Sequence, residues 1–143
     1  MVFTLSGWFC AIVLTLTSLI HVYWGLGGLW PASDPAELSR PVVGVDAQPM
    51  PGLVLTLVIA LLIFAAGAFG FVRGVLRWDS LLLIRIPLGV LTAIFTLRGA
   101  IAYLPGPFAQ ATEPFKTLNI TYFSPLILAL AVCFALLTFS PRD

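Results

Sequence analysis

His21 is the chain's one histidine and lies inside an apolar stretch. An imidazole there can exchange protons, donate to a ligand, bind a pigment or haem as an axial ligand, or hydrogen-bond a neighbouring helix. Arg98 also lies inside an apolar stretch. A guanidinium in that setting either snorkels to headgroups or turns inward to an anion or a carbonyl. Tyr23, Asn119 and Tyr122 fall at a similar depth along their own stretches. His21, Tyr23, Arg98, Asn119 and Tyr122 therefore form a candidate ligand-binding pocket, with Glu113 as a carboxylate on its lid side. No catalytic nucleophile stands out. One histidine, with Cys10 and Cys133 lying toward the opposite side, makes no metal cluster. Neither cysteine sits in a CxxC or other framework spacing, so both read as small buried hydrophobes. No catalytic residue, metal or cofactor is expected. A pigment or haem held by His21 is the alternative.

These residues need elements to carry them, and composition says which kind. Of the 143 residues, 60% are hydrophobic and only 9% are charged. Soluble domains carry about 25% charged residues, so hydrocarbon rather than water must cover this surface. Four apolar stretches stand out, at about 4–25, 52–72, 81–103 and 120–139. Each is close to the roughly 20 residues a helix needs to cross a membrane. The expected fold is all-α, a polytopic bundle of four transmembrane helices making one integral membrane domain over 1–143. The run from residue 2 to 29 has no basic residue before it and is too long for a signal-peptide core, so it reads as a retained helix.

The intervening segments carry the punctuation. Loop one, about 27–51, holds Pro31, Pro35, Pro41, Pro49 and Pro51 with Asp34, Glu37, Arg40 and Asp46. So many prolines exclude a regular helix there. Loop two, about 73–80, holds Arg73, Arg77 and Asp79. Loop three, about 104–119, holds Pro105, Pro107, Glu113, Pro114 and Lys116. Arg73, Arg77 and Arg142 share one side, with Arg85 near it. The other side has Arg40 and Lys116, with Arg98 near its edge. The positive-inside rule then places both termini and loop two in the cytoplasm, and loops 27–51 and 104–119 outside. Trp8 and Trp78 would mark the inner interface. Tyr23, Trp24, Trp30, Tyr103 and Tyr122 would mark the outer one. The net charge of +1 and the lack of a basic run exclude nucleic acid as a partner.

Small residues at four-residue spacing predict close helix packing: Ala66, Gly70 and Gly74, and separately Gly89 and Ala93. Polar or small groups line one face of the first helix (Thr17, Ser18, His21, Gly25, Gly28) and one face of the third (Arg85, Gly89, Thr92, Thr96, Tyr103). Both faces are expected to point into the bundle. Arg85 is expected to snorkel to the inner surface. Thirteen residues separate it from Arg98, so the two point about 140° apart and serve different places. Pro87 should kink the third helix or mark where its regular part begins. Ser124-Pro125 resembles an N-cap with a first-turn proline, which would leave 119–123 as non-helical backbone lining a wet cavity.

The stretch His21-Val22-Tyr23-Trp24 with Gly27-Gly28 and Trp30 resembles the first-helix signature of an uncharacterised family of small bacterial four-helix membrane proteins, a domain of unknown function. Phe115, Leu118, Tyr122, Ser124, Pro125 and Leu126 resemble its late motif. Arg98-Gly99 matches an arginine of its third helix. The resemblance covers most of the chain and implies membrane location and four helices but no activity. Similar proteins usually carry Asp where this chain has Asn119, and Pro31 stands where they often have Gly.

Three functions are compatible with these residues. The first is a non-enzymatic protein of the inner membrane, either an accessory subunit of a larger complex or a binder of lipid or a small molecule. Its partners would be membrane lipids, and a larger complex or further copies of itself. The second is an outer-leaflet enzyme with His21 as acid or base and Arg98 on an anion. The third is a small transporter or proton-coupled channel. The topology makes its own prediction. In intact cells a membrane-impermeant maleimide should label Ser33→Cys, and should label Arg77→Cys only after permeabilisation. The reverse pattern would invert the orientation.

Overall fold

The computed structural model describes residues 1–44, 51–106, 108 and 110–139. Asp46, Pro49, Pro107 and the tail 140–143, with Arg142, lie outside the described residues. The described chain forms five helices and no strand. They are α1 (Val2–Gly25), α2 (Pro35–Val43), α3 (Leu53–Gly74), α4 (Leu81–Tyr103) and α5 (Phe115–Phe139). All but α2 are long and apolar enough to cross a membrane. At 1.5 Å per residue the 22-residue α3 reaches about 33 Å, which covers a hydrocarbon core of about 30 Å. Leu61, Leu62, Leu81 and Leu97 are each about two-thirds exposed. In water that surface would drive aggregation. In lipid it is the ordinary outer face of a span.

The bundle is two antiparallel hairpins. α1 packs along α3, α4 packs along α5, and the pairs meet chiefly through α1 and α5. Glycine sets the first interface. A Cβ on Gly7 would lie 2.8 Å from the Gly74 Cα, and one on Gly70 would lie 2.8 Å from the Cys10 Cβ. Ala66, Gly67, Gly70 and Gly74 are all buried. Backbones this close gain dispersion contacts that lipid cannot match. Ser18 Oγ adds a hydrogen bond of 2.8 Å to the Ala60 carbonyl across the same seam.

The α4–α5 seam departs from expectation. Ala93 is exposed, and a Cβ on Gly89 would meet Thr138 at an ordinary 3.7 Å. Gly99 is the close approach instead, since a Cβ there would lie 2.6 Å from Leu128 Cγ. Nor do Thr96 and Tyr103 face the bundle; both are exposed. Thr92 Oγ1 bonds back to the Leu88 carbonyl at 2.8 Å. A hydroxyl satisfied by its own helix does not need the interior.

Three further expectations are corrected. Loop one contains a helix, because its prolines fall where a helix tolerates them or ends. Asp34 Oδ1 accepts from the Glu37 N–H at 2.8 Å, Glu37 Oε2 accepts from the Ser33 N–H at 3.1 Å, and Pro35 begins α2. Pro41 sits in the last turns before Gly44, which ends the helix in the left-handed region at φ 80°. Residues 119–123 are helical too. Both Leu81–Arg85 and Asn119–Phe123 are π turns, each directly before a proline-bearing α segment. The Ile86 N–H reaches the Leu81 carbonyl, and the Ser124 N–H reaches the Asn119 carbonyl. This wider i→i+5 closure makes room for the rings of Pro87 and Pro125 without breaking the rod. The Ile120 carbonyl would look to Pro125, which has no N–H, and Tyr103 Oη donates to it at 3.0 Å.

Arg85 does not snorkel away. It makes a bidentate pair with Asp79 at 2.8 Å for both contacts, and Arg73 lies 3.7 Å from the same carboxylate. The Arg73 and Asp79 side chains are almost wholly buried. Asp79 thus ties the end of α3 to the start of α4. The Arg73 and Arg77 guanidinium groups also lie over the Phe3 ring.

The solid core occupies the half of the bundle nearest this cluster. Cys10, Leu14, Ala66, Ile84, Leu88, Leu130, Phe134 and Leu137 form it, with Cys133 packed against it. Replacing Gly7 or Gly74 by Val should force α1 and α3 apart and cost about 1–3 kcal/mol. Thermal unfolding in detergent should show a clearly lower midpoint for either variant, whereas Gly89→Ala should stay near wild type.

Candidate functional site

In the other half of the bundle the helices form a half-open cavity of about 610 Å³. That volume lies within the roughly 300–1,000 Å³ range of small-molecule sites. One stripe of α1 lines it: Val13, Leu14, Thr17, Ile20, His21 and Trp24. Spacings of three and four place those residues on one helical face. α4 contributes Ile94, Phe95 and Arg98, and Ile63 of α3 completes one wall. α5 contributes Phe115, Phe123, Leu126, Ile127 and Leu130. From Val13 to Trp24 the wall runs about 16 Å along α1.

The polar groups gather at one end. Thr17 Oγ1 bonds back to the Val13 carbonyl at 2.8 Å. His21 Nδ1 lies 2.8 Å from the Thr17 carbonyl. A carbonyl only accepts, so Nδ1 carries the proton, and Nε2 is the ring nitrogen left for a ligand. The Trp24 ring meets the imidazole edge to face at 5.3 Å. Across the cavity Arg98 turns inward. Its Nη2 donates to Asn119 Oδ1 at 3.0 Å, and its guanidinium lies 5.0 Å from the centre of the Phe108 ring. Its Nη1 is enclosed without a hydrogen-bond partner in the protein. Asn119 is 1% exposed, and its Oδ1 also accepts from Ser124 Oγ at 3.3 Å.

α2 closes this end. Val42 reaches the cavity, Leu38 and Ser39 are buried, and Glu37 and Arg40 face outward. The Gly44 carbonyl accepts from the Thr112 N–H at 3.0 Å, and Gly44 lies against the Phe115 ring. α2 is thereby anchored to the start of α5, whose Phe115 is itself a cavity wall.

Of the five residues expected to share a pocket, His21 and Arg98 line the cavity, and Asn119 holds Arg98 from behind. Tyr23 and Tyr122 do not join them; both are exposed. Tyr23 belongs to the turn after α1. Its ring packs on Gly28, its Oη accepts from the Trp30 N–H at 3.3 Å, and Trp24 Nε1 donates to the Trp30 carbonyl at 2.8 Å. Gly27 takes φ 93° in that turn, a conformation that favours glycine. Tyr23, Gly27, Gly28 and Trp30 of the first-helix motif therefore fold the chain back over the helix end, and His21 and Trp24 face the cavity. Glu113 is no lid carboxylate either. It is exposed, and its Oε2 accepts from the Thr117 N–H at 3.2 Å, capping the first turn of α5.

Sequence reasoning missed the apolar walls and the participation of α2. The 13, 17, 20, 24 spacing on α1 was a legible signal for one wall. Nothing local to loop one or loop three announces that Val42 and Phe115 meet there. Among the described residues no group of three His, Cys, Asp or Glu side chains could hold a metal ion.

Removing the Asn119 acceptor leaves both Arg98 Nη2 and Ser124 Oγ without it. Asn119→Ala should destabilise the protein by about 2–3 kcal/mol. Chemical or thermal unfolding in detergent micelles checks this, and an unchanged midpoint would remove Asn119 from the supporting network.

The model of a family described as a protein of unknown function, DUF3995, matches residues 5–134. No curated protein and no solved structure matches the chain.

Proposed function

We propose that this chain, which belongs to that DUF3995 family, is a non-enzymatic membrane protein that holds an amphipathic molecule in the cavity beside His21 and Arg98. A single observation carries this reading. The cavity is apolar along most of its length, and its two ionisable side chains, His21 and Arg98, both come from near the C-terminal ends of their helices, α1 and α4. That division matches a molecule with one hydrocarbon part and one polar head. The positive-inside rule puts the polar end toward the outer surface of the cytoplasmic membrane.

The cavity's chemistry supports binding over catalysis. Thr17 is the one hydroxyl among the lining residues, and it is engaged by its own helix. His21 is oriented by a backbone carbonyl rather than by a carboxylate. General acid–base work calls for a partner positioned against a reacting group. A binding site asks only for complementary surface and a satisfied head. The accessory-subunit reading is compatible with this one, since a bound lipid can lie against a partner.

Filling the cavity tests the proposal. Thr17→Trp and Ile127→Trp each place a large ring in the space. Native mass spectrometry of wild type released from nanodiscs should show a retained lipid or lipid-sized adduct. The filled variants should lose at least about 90% of it while keeping their unfolding midpoints. Equal retention in wild type and both variants would place any bound lipid elsewhere.

A further inference from the structure

We propose that the head of the bound molecule is an anion, a carboxylate or phosphate on a hydrocarbon chain, received by the Arg98 guanidinium. This rests on the cavity-binding reading and adds the charge of the ligand to it.

The argument begins with what balances Arg98. A guanidinium stays protonated even in apolar surroundings. Partly buried arginine in a span is costly unless something of opposite charge or several acceptors meet it. Among the described residues no carboxylate pairs with Arg98, whereas Asp79, before the far end of α4, pairs with Arg85 and Arg73. The partner present is Asn119, whose amide accepts one hydrogen bond but brings no negative charge. That same Oδ1 already accepts from Ser124. Phe108 covers one face of the guanidinium and lends it a ring quadrupole, again without a counter-charge.

The contrast with Asp79 sharpens the point. There two arginines meet one carboxylate supplied by the protein. At Arg98 the protein supplies a neutral amide and an aromatic face. Here the missing charge comes from the occupant of the cavity that Arg98 lines. His21 lines the same cavity with Nε2 uncommitted. The Arg98 guanidinium offers charge-assisted donors to the oxygens of such a head. A cationic head would face the Arg98 guanidinium and is excluded. A neutral head would leave the guanidinium uncompensated.

A free long-chain carboxylate and an anionic phospholipid both carry this chemistry. Trp24 reports on the site because it lines the cavity beside His21. Trp8, Trp30 and Trp78 are changed to Phe, and the full chain is placed in phosphatidylcholine nanodiscs. Quenching of Trp24 is then followed on adding a chain-brominated carboxylate, the chain-brominated alcohol of equal length, or brominated phosphatidylglycerol.

The expected result is saturable quenching by an anionic probe at a concentration at least tenfold below that needed for the alcohol. Arg98→Gln should erase that preference by removing the charge. Asn119→Asp should erase it while keeping an acceptor for Arg98, because the protein then supplies the counter-charge itself. Saturation by the carboxylate alone assigns a single-chain ligand, and saturation by phosphatidylglycerol alone assigns a phospholipid. Saturation by both makes the head's charge the deciding feature. Alcohol and carboxylate saturating at equal concentrations, or a preference that survives both variants, would overturn the anion assignment and leave cavity binding standing. No saturable quenching by any probe, in protein with a wild-type unfolding midpoint, would overturn the cavity reading and the anion assignment with it.

Discussion

Hydrocarbon offers no hydrogen-bond partner to a peptide group, so the protein must satisfy every amide and carbonyl inside the span by itself. That constraint shapes this bundle at its two most awkward places. Pro87 and Pro125 lack the N–H that a helix would use, and each ring crowds the carbonyl four residues earlier. The chain answers with a π turn before each proline, keeping both spans helical throughout. Where a carbonyl is still left over, at Ile120, the Tyr103 hydroxyl reaches it from α4.

The second π turn also builds the site. In a regular α-helix, residues five apart point about 140° away from each other. The i→i+5 closure brings Asn119 and Ser124 onto one side, so one amide oxygen accepts from Ser124 and from Arg98. A device that accommodates a proline ring thus positions the group that orients the cavity's arginine.

Packing explains why there is a cavity at all. Near the Asp79 cluster, glycine contacts close the α1–α3 hairpin and the Cys10–Leu14–Phe134 core joins it to the other. Toward α2 the facing residues are His21, Trp24, Arg98 and Phe123, which line a space rather than fill it. Lipid tails are as apolar as leucine, so no hydrophobic force collapses such a gap. α2 and the start of α5 cover it, joined through Gly44, Thr112 and Phe115.

The spans were legible from sequence because membrane thickness and the cost of charge are read residue by residue, without knowledge of neighbours. The number of crossings, their approximate bounds and the glycine face of α3 follow from that local logic. The same holds for the depth of His21 and Arg98. Tertiary structure alone decided which of these groups meet. Depth along a helix does not set rotation about it; that depends on the close α1–α3 seam, the Gly99 approach and the wide turns before the prolines. Tyr23 and Tyr122 share the depth of the site but not its face, while Val42 and Phe115 come to it from segments rich in proline. Asp79 meets Arg85 and Arg73 for the same reason. A pairing between distant turns is fixed by how helices lie against one another, and no local spacing encodes it.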